Sequence, residues 1–426
     1  MTDSQISAIT ARKILDSRGR PVVEAEITTK AGIVARAWVP SGASTGKAEA
    51  VELRDGGTAW EGKDVQGAVR NIKDVIAPLL IGRDVLDQQG IDDAMTQADG
   101  TPNYAKLGGN AVLGVSIATA RAAAFVQGQP LFRRFAELAG TTPTMPMPMV
   151  NILSGGLHAG RGMDVQDFLV IPVGAKSYSQ ALEWVCRVRA AAAELSARRG
   201  LPTLLADEGG LSPGFERSEE ALDMMVEAFE SAGLVPVRDV AIALDIASSS
   251  LVADDGTYRF ARAGHNYTAQ QLVDAQVEWV SRYPIISIED GLGEDAWSDW
   301  PEMTARLSEI QLVGDDLFAT QPDRIRRGVA GKIANAALIK VNQNGTVSGT
   351  LRAIQEARAG NYATVISARS GETEDDFLAD LAVGVAGGQI KIGSVRNSER
   401  LSKYNQLLRI EEQELAWAGT AGIAPL

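Results

Sequence analysis

Three acidic residues each close an apolar run in the second half of the chain: Asp245 after Val240–Leu244, Glu289 after Ile285–Ile288, and Asp315 after Ile310–Gly314. Three cations close the next three runs: Lys340, Arg369 and Lys391. Three carboxylates with no histidine or thiolate beside them suit a hard, oxygen-loving cation such as Mg²⁺ and not zinc. A lysine at the end of an apolar strand is costly to bury as an ammonium. Desolvation and a nearby metal would both lower its pKa, which makes Lys340 a candidate general base. Arg369, Ser370 and Lys391 offer a planar fork, a hydroxyl and a point charge, a set suited to phosphate and carboxylate. Glu208, in Ala206-Asp207-Glu208-Gly209-Gly210, is a candidate general acid on a turn, and a plain turn carboxylate is the competing reading. His158 lies between glycines on a loop and is expected exposed or poised at a mouth, whereas His265 is expected at the surface.

Residues so placed need a scaffold that ends its strands at one point. Successive endings lie 22 to 44 residues apart, room for one strand, one helix and two loops. Buried parallel strands read as short apolar runs, and a (β/α) barrel carries its chemistry at their C-terminal ends. Before the barrel, residues 6–54 read as strands with a hairpin at Asp16–Pro21, and residues from about 62 to 139 read as helix. The proline-rich stretch Gly140–Pro148 is the expected boundary, giving an N-terminal α+β domain over 1–139 and a barrel domain over 140–426. Phe168–Pro172 is expected as a strand before a long helix at about 178–199. Ser41–Gly46, a small flexible loop after Pro40, can close over a site and exclude water.

Composition narrows the partners. The 426 residues carry a net charge of −13, which argues against nucleic acid and anionic membranes while leaving room for a local cationic pocket. No uninterrupted apolar run reaches membrane-spanning length, and the first residues show no signal-peptide pattern, so a cytoplasmic enzyme is expected. The single cysteine, Cys186, is expected to be a buried, inert thiol.

The motifs Leu15-Asp16-Ser17-Arg18-Gly19, Pro40–Gly46, Ala206–Gly210, Ser287-Ile288-Glu289-Asp290-Gly291, Val313-Gly314-Asp315-Asp316-Leu317, Arg369–Asp375 and Lys403–Leu407 are long and specific. Over essentially its whole length the chain resembles the enolases. That resemblance implies an α/β architecture, with an N-terminal α+β capping domain on an atypical enolase-type (β/α)8 barrel. It implies a homodimer or higher oligomer, two Mg²⁺ ions per site, and reversible dehydration of 2-phosphoglycerate to phosphoenolpyruvate. By position, Asp245, Glu289 and Asp315 would hold the first metal and Ser41 would help with the second. Lys340 would take the C2 proton and Glu208 would protonate the departing hydroxide. Lys391 would hold the substrate carboxylate, and Arg369 and Ser370 the phosphate. His158, Gln166 and Asp167 would line the substrate.

The chain departs from the family pattern where the leaving hydroxyl is handled. Ala368 stands where enolases carry histidine, and Gln166-Asp167-Phe168 where they carry Gln-Glu-Phe. Ser154-Gly155-Gly156-Leu157-His158-Ala159 replaces the usual Asn-Gly-Gly-Glu-His-Ala, and Arg20 replaces an asparagine. Three readings stay open: a working enolase with a thinner leaving-group shell; an enolase-like enzyme of phosphonate biosynthesis acting on a phosphoenolpyruvate analogue, of the carboxyphosphonoenolpyruvate synthase type; and a non-catalytic homologue, against which the intact base and metal ligands argue.

Overall fold

The computed structural model describes residues 3–42 and 46–425. The chain opens with a three-stranded antiparallel sheet, β1 (Ile6–Leu15), β2 (Pro21–Thr29) and β3 (Val34–Trp38). The β1–β2 turn is closed by Asp16, whose Oδ1 accepts the backbone N–H groups of Arg18 and Arg20 at 2.9 Å each. The strands stop at Trp38, so 39–42 and 46–54 carry no strand, which shortens the strand region expected over 6–54.

Helical structure follows at 66–80, Gln88–Asp99, Gly109–Gln127 and Leu131–Ala139. The helix Gly109–Gln127 is long and apolar enough to cross a membrane by length and composition, yet 83% of that window is buried inside the protein. Its small residues explain the burial. A Cβ on Gly114 would stand 3.2 Å from both Ala25 and Val39, so the glycine lets the helix lie against β2 and the end of β3.

Eight strands then close a barrel: β4 (Met147–Ser154), β5 (Asp167–Ile171), β6 (Ala241–Asp245), β7 (Ile285–Glu289), β8 (Gln311–Gly314), β9 (Ala336–Ile339), β10 (Ala363–Ser367) and β11 (Gln389–Lys391). β4 begins inside the proline-rich stretch that reads as linker. The ladder is parallel except at β5, which runs antiparallel to both β4 and β6. Met147, Met149, Leu169, Ala243, Val313, Leu338 and Val365 fill the interior, so the barrel is a packed core and not a pore. The long helix after β5 spans Tyr178–Arg198, with Val185 and Val188 turned inward. Cys186 sits one step around the helix from Val185 and is exposed, which corrects the expectation of a buried thiol.

The N-terminal domain rests on the barrel mouth through backbone and charge. Ser41 and Gly371 exchange both backbone hydrogen bonds, at 2.8 and 2.9 Å, and Ser17 N–H donates to Glu372 O at 2.8 Å. A Cβ on Gly371 would fall within 2.5 Å of Arg18, Ser41 and Asp16, so only glycine fits there. Farther out, Arg121 pairs with the buried Asp375 at 2.6 Å.

Candidate active site

The strand ends converge on a cavity at the barrel mouth. Asp245, Asp315, Lys340, Arg369, Ser370 and Lys391 line it, together with His158, Gln166, Glu208 and Ala368. Asp245 and Glu289 are the last residues of β6 and β7, Lys391 is the last of β11, and Asp315 and Lys340 follow β8 and β9 directly. Gln166 and Asp167 reach the same mouth from the start of β5, because that strand runs backwards and sets Asp167 opposite Asp245.

Lysines hold the acidic strand ends. Lys391 Nζ donates to Asp245 Oδ2 at 2.8 Å and to Glu289 Oε2 at 2.6 Å. Lys340 Nζ donates to Asp315 Oδ2 at 2.5 Å, and Gln343 Nε2 to Asp315 Oδ1 at 2.9 Å. Burial alone would depress both lysines, but the carboxylates outweigh it and hold both ammonium groups above their ordinary values. For Lys340 the Asp315 carboxylate in direct contact outweighs the desolvation that was expected to lower its pKa. Asp315 is itself held low by Lys340 against the effect of burial. Burial and the neighbouring Asp245 push Glu289 well up.

Asp245, Glu289 and Asp315 do not form the tightest carboxylate group. That group is Asp290, Asp315 and Asp316, whose oxygens lie within 4.8 Å of one another. Burial and Asp315 push Asp316 up to about 7. Asp290 is a positioning residue. It is buried at a positive φ of 42°, and its two oxygens accept the backbone N–H groups of Asp315 and Asp316 at 2.9 and 2.8 Å. The donor set fits a hard divalent cation. It is wholly carboxylate, and Glu289 Oε1 is buried without a hydrogen-bond partner among the described residues.

Arg369 and Ser370 are held by residues of both the cap and the barrel. Arg369 Nη1 donates to Glu49 Oε2 at 3.0 Å and to Asn342 Oδ1 at 2.9 Å. Arg400 donates to the carbonyls of Arg369 and Ser370 at 2.6 and 2.7 Å. Arg18 Nη1 reaches Ser370 Oγ at 3.3 Å. Ser41 is fully buried; its hydroxyl donates to Asp16 Oδ2 at 2.8 Å and accepts from Arg18 at 2.7 Å. Ala43, Ser44 and Thr45 of the expected closing loop lie outside the described residues.

The remaining wall belongs to β4, β5 and the loop carrying Glu208. His158, Asp167 and Glu208 lie within 4.8 Å of one another. His158 Nδ1 stands 3.1 Å from Glu208 Oε1, and Asn151 Nδ2 donates to Glu208 Oε2 at 3.2 Å. Burial works to raise Glu208, but His158 prevails and holds it well below the usual carboxylate range. His158 is raised in turn, Glu208 outweighing burial. Asp167 is pushed up to about 7 by burial and by Glu208. Its Oδ1 accepts from Ser154 Oγ at 2.7 Å, while Oδ2 has no hydrogen-bond partner among the described residues. Gln166 Nε2 donates to Asp245 Oδ2 at 3.2 Å. Ala368 presents only a methyl group to the cavity.

Several of these residues escaped the sequence reading. Asp290 and Asp316 each follow a singled-out acid, and that adjacency was the available signal. Asn151 was hidden because β4 starts in what reads as linker, and Ser154 stood out only as a departure from the family pattern. Glu49 meets Arg369 across 320 residues, a pairing no local pattern encodes.

A ring of strand-end acids and lysines under an α+β cap defines a class of capped-barrel enzymes. The chain belongs to the enolase family: the enolase N-terminal domain profile matches residues 6–135, and the enolase C-terminal TIM barrel domain profile matches residues 142–424.

Proposed function

We propose that this chain is a Mg²⁺-dependent hydro-lyase that interconverts 2-phosphoglycerate and phosphoenolpyruvate. The observation that carries this reading is that Lys340 and Glu208, a base and an acid, line one cavity with Asp245, Asp315, Arg369 and Lys391. Asp245, Glu289 and Asp315 would hold the metal, and bound Mg²⁺ would supply positive charge beside the substrate carboxylate as C2 loses its proton. Arg369 and Ser370 bind the phosphate, and Lys391 orients the carboxylate. Lys340 removes the C2 proton once Asp315 no longer holds its ammonium and the amine has lost its proton, and Glu208, ionised beside His158, first takes the proton that His158 holds and then delivers it to the departing hydroxyl. Buried walls exclude bulk water, which strengthens each of these charge interactions.

A second reading draws on Ala368 and Asp167. Ala368 offers no hydrogen bond, and Asp167 is tied back to Ser154, so the hydroxyl-handling side is weaker than the family pattern. Room there suits a phosphoenolpyruvate analogue of phosphonate biosynthesis. One assay separates the two: phosphoenolpyruvate formation from 2-phosphoglycerate with Mg²⁺, wild type beside Ala368→His/Asp167→Glu. Robust wild-type turnover, little changed in the double variant, supports the first reading. Negligible wild-type turnover that the double variant restores contradicts it and favours the second.

A further inference from the structure

A second concave site adjoins the catalytic cavity on the side of the N-terminal domain. It is a groove of about 390 Å³ lined by Arg18, Arg20, Lys47, Arg54 and Lys63. In a chain of net charge −13, five cations around one groove stand apart from the rest of the composition. The two carboxylates there are already engaged. Glu49 accepts from Arg369 at 3.0 Å and from the Gly46 N–H at 2.9 Å, and Glu52 accepts from Arg54 at 2.6 Å. Burial also raises Glu52, which weakens it further as a counter-charge.

Two of the cations are uncommitted. Among the described residues, no hydrogen bond or ion pair is made by the side chain of Arg20 or of Lys63. Arg20 is also close enough to Arg18 for their like charges to repel, an effect that adds to burial in depressing Arg18. Arg18, Lys47 and Arg54 pair with Asp16, Asp295 and Glu52, which leaves Arg20 and Lys63 as like charges that an anion between them would stabilise. Arg20 is also the departure from family pattern that the proposed chemistry leaves unused.

We propose that this groove is a second anion site that takes the phosphoryl group of a small phosphorylated molecule. Arg20 supplies the planar fork and Lys63 the point charge. The groove far exceeds one phosphate in volume, so a larger phosphorylated molecule fits as well as inorganic phosphate. Its wall is shared with the catalytic cavity: Arg18 reaches Ser370, and Glu49 reaches Arg369.

The test counts inorganic phosphate sites by phosphorus NMR titration and equilibrium dialysis at fixed ionic strength. It compares wild type, Arg20→Asn/Lys63→Gln, and Arg369→Gln. Two phosphates are expected per wild-type chain. Arg20→Asn/Lys63→Gln should lose one by about tenfold or more in affinity, and Arg369→Gln should lose the other. Circular dichroism checks that the variants fold. A single wild-type site lost only in Arg20→Asn/Lys63→Gln would still support the groove and would count against the catalytic phosphate assignment. Phosphate binding unchanged in Arg20→Asn/Lys63→Gln overturns the proposal, whatever Arg369→Gln does.

Discussion

Asp245, Glu289 and Asp315 each meet a lysine, whereas Glu208 and Asp167 meet a histidine, an amide and a hydroxyl. On the lysine side both ammonium groups are held above their ordinary values and stay charged across the neutral range, while burial and Asp245 push Glu289 up. On the histidine side the one cation titrates, and Asp167 titrates near 7. One cavity thus holds two permanent ammonium charges beside a proton-exchanging wall. The first suits cation binding and proton abstraction. The second suits delivery of a proton to a leaving group.

The sharpest way to break this comparison is to cut one cation on each side in metal-free protein. Lys391→Met strands Asp245 and Glu289, both buried. Denaturant unfolding should show a loss of about 3–5 kcal/mol, the usual cost of removing one partner from a buried ion pair. His158→Gln should cost less, roughly 1–3 kcal/mol, because Asn151 still donates to Glu208. Equal losses would mean that the two sides do not differ as described.

A smaller effect sharpens the histidine side. Asp167 keeps its proton in the folded protein up to about 7, whereas an unfolded aspartate ionises near 3.8. Between those values the unfolded chain binds fewer protons, so this residue lowers stability as pH rises, by roughly 1.4 kcal/mol per pH unit at most. Asp167→Asn should therefore raise the melting temperature at pH 8 more than at pH 5. An equal change at both pH values would show that Asp167 is ionised throughout.

The lysine side was the more legible of the two in sequence, for a physical reason. Buried parallel strands need continuous apolar runs, so Asp245, Glu289 and Lys391 stand out as the first charges after them. The histidine side depends on β5, whose apolar run carries no mark of its direction. Only the barrel reveals that Asp167, at the start of its strand, shares the mouth with Asp245 at the end of its own. The sign of the Lys340 shift was not legible either. It depends on Asp315, 25 residues away, approaching to 2.5 Å. Cys186 was misjudged because one step around a helix separates a buried face from an exposed one.

The central claim is that Lys340 is the base for a proton beside a carboxylate. It is tested most directly by following exchange of the C2 proton of 2-phosphoglycerate with deuterated water in the presence of Mg²⁺. Exchange is expected in the wild type and in Glu208→Gln, and its loss in a folded Lys340→Ala, by about a hundredfold or more. Undiminished exchange in Lys340→Ala would contradict it.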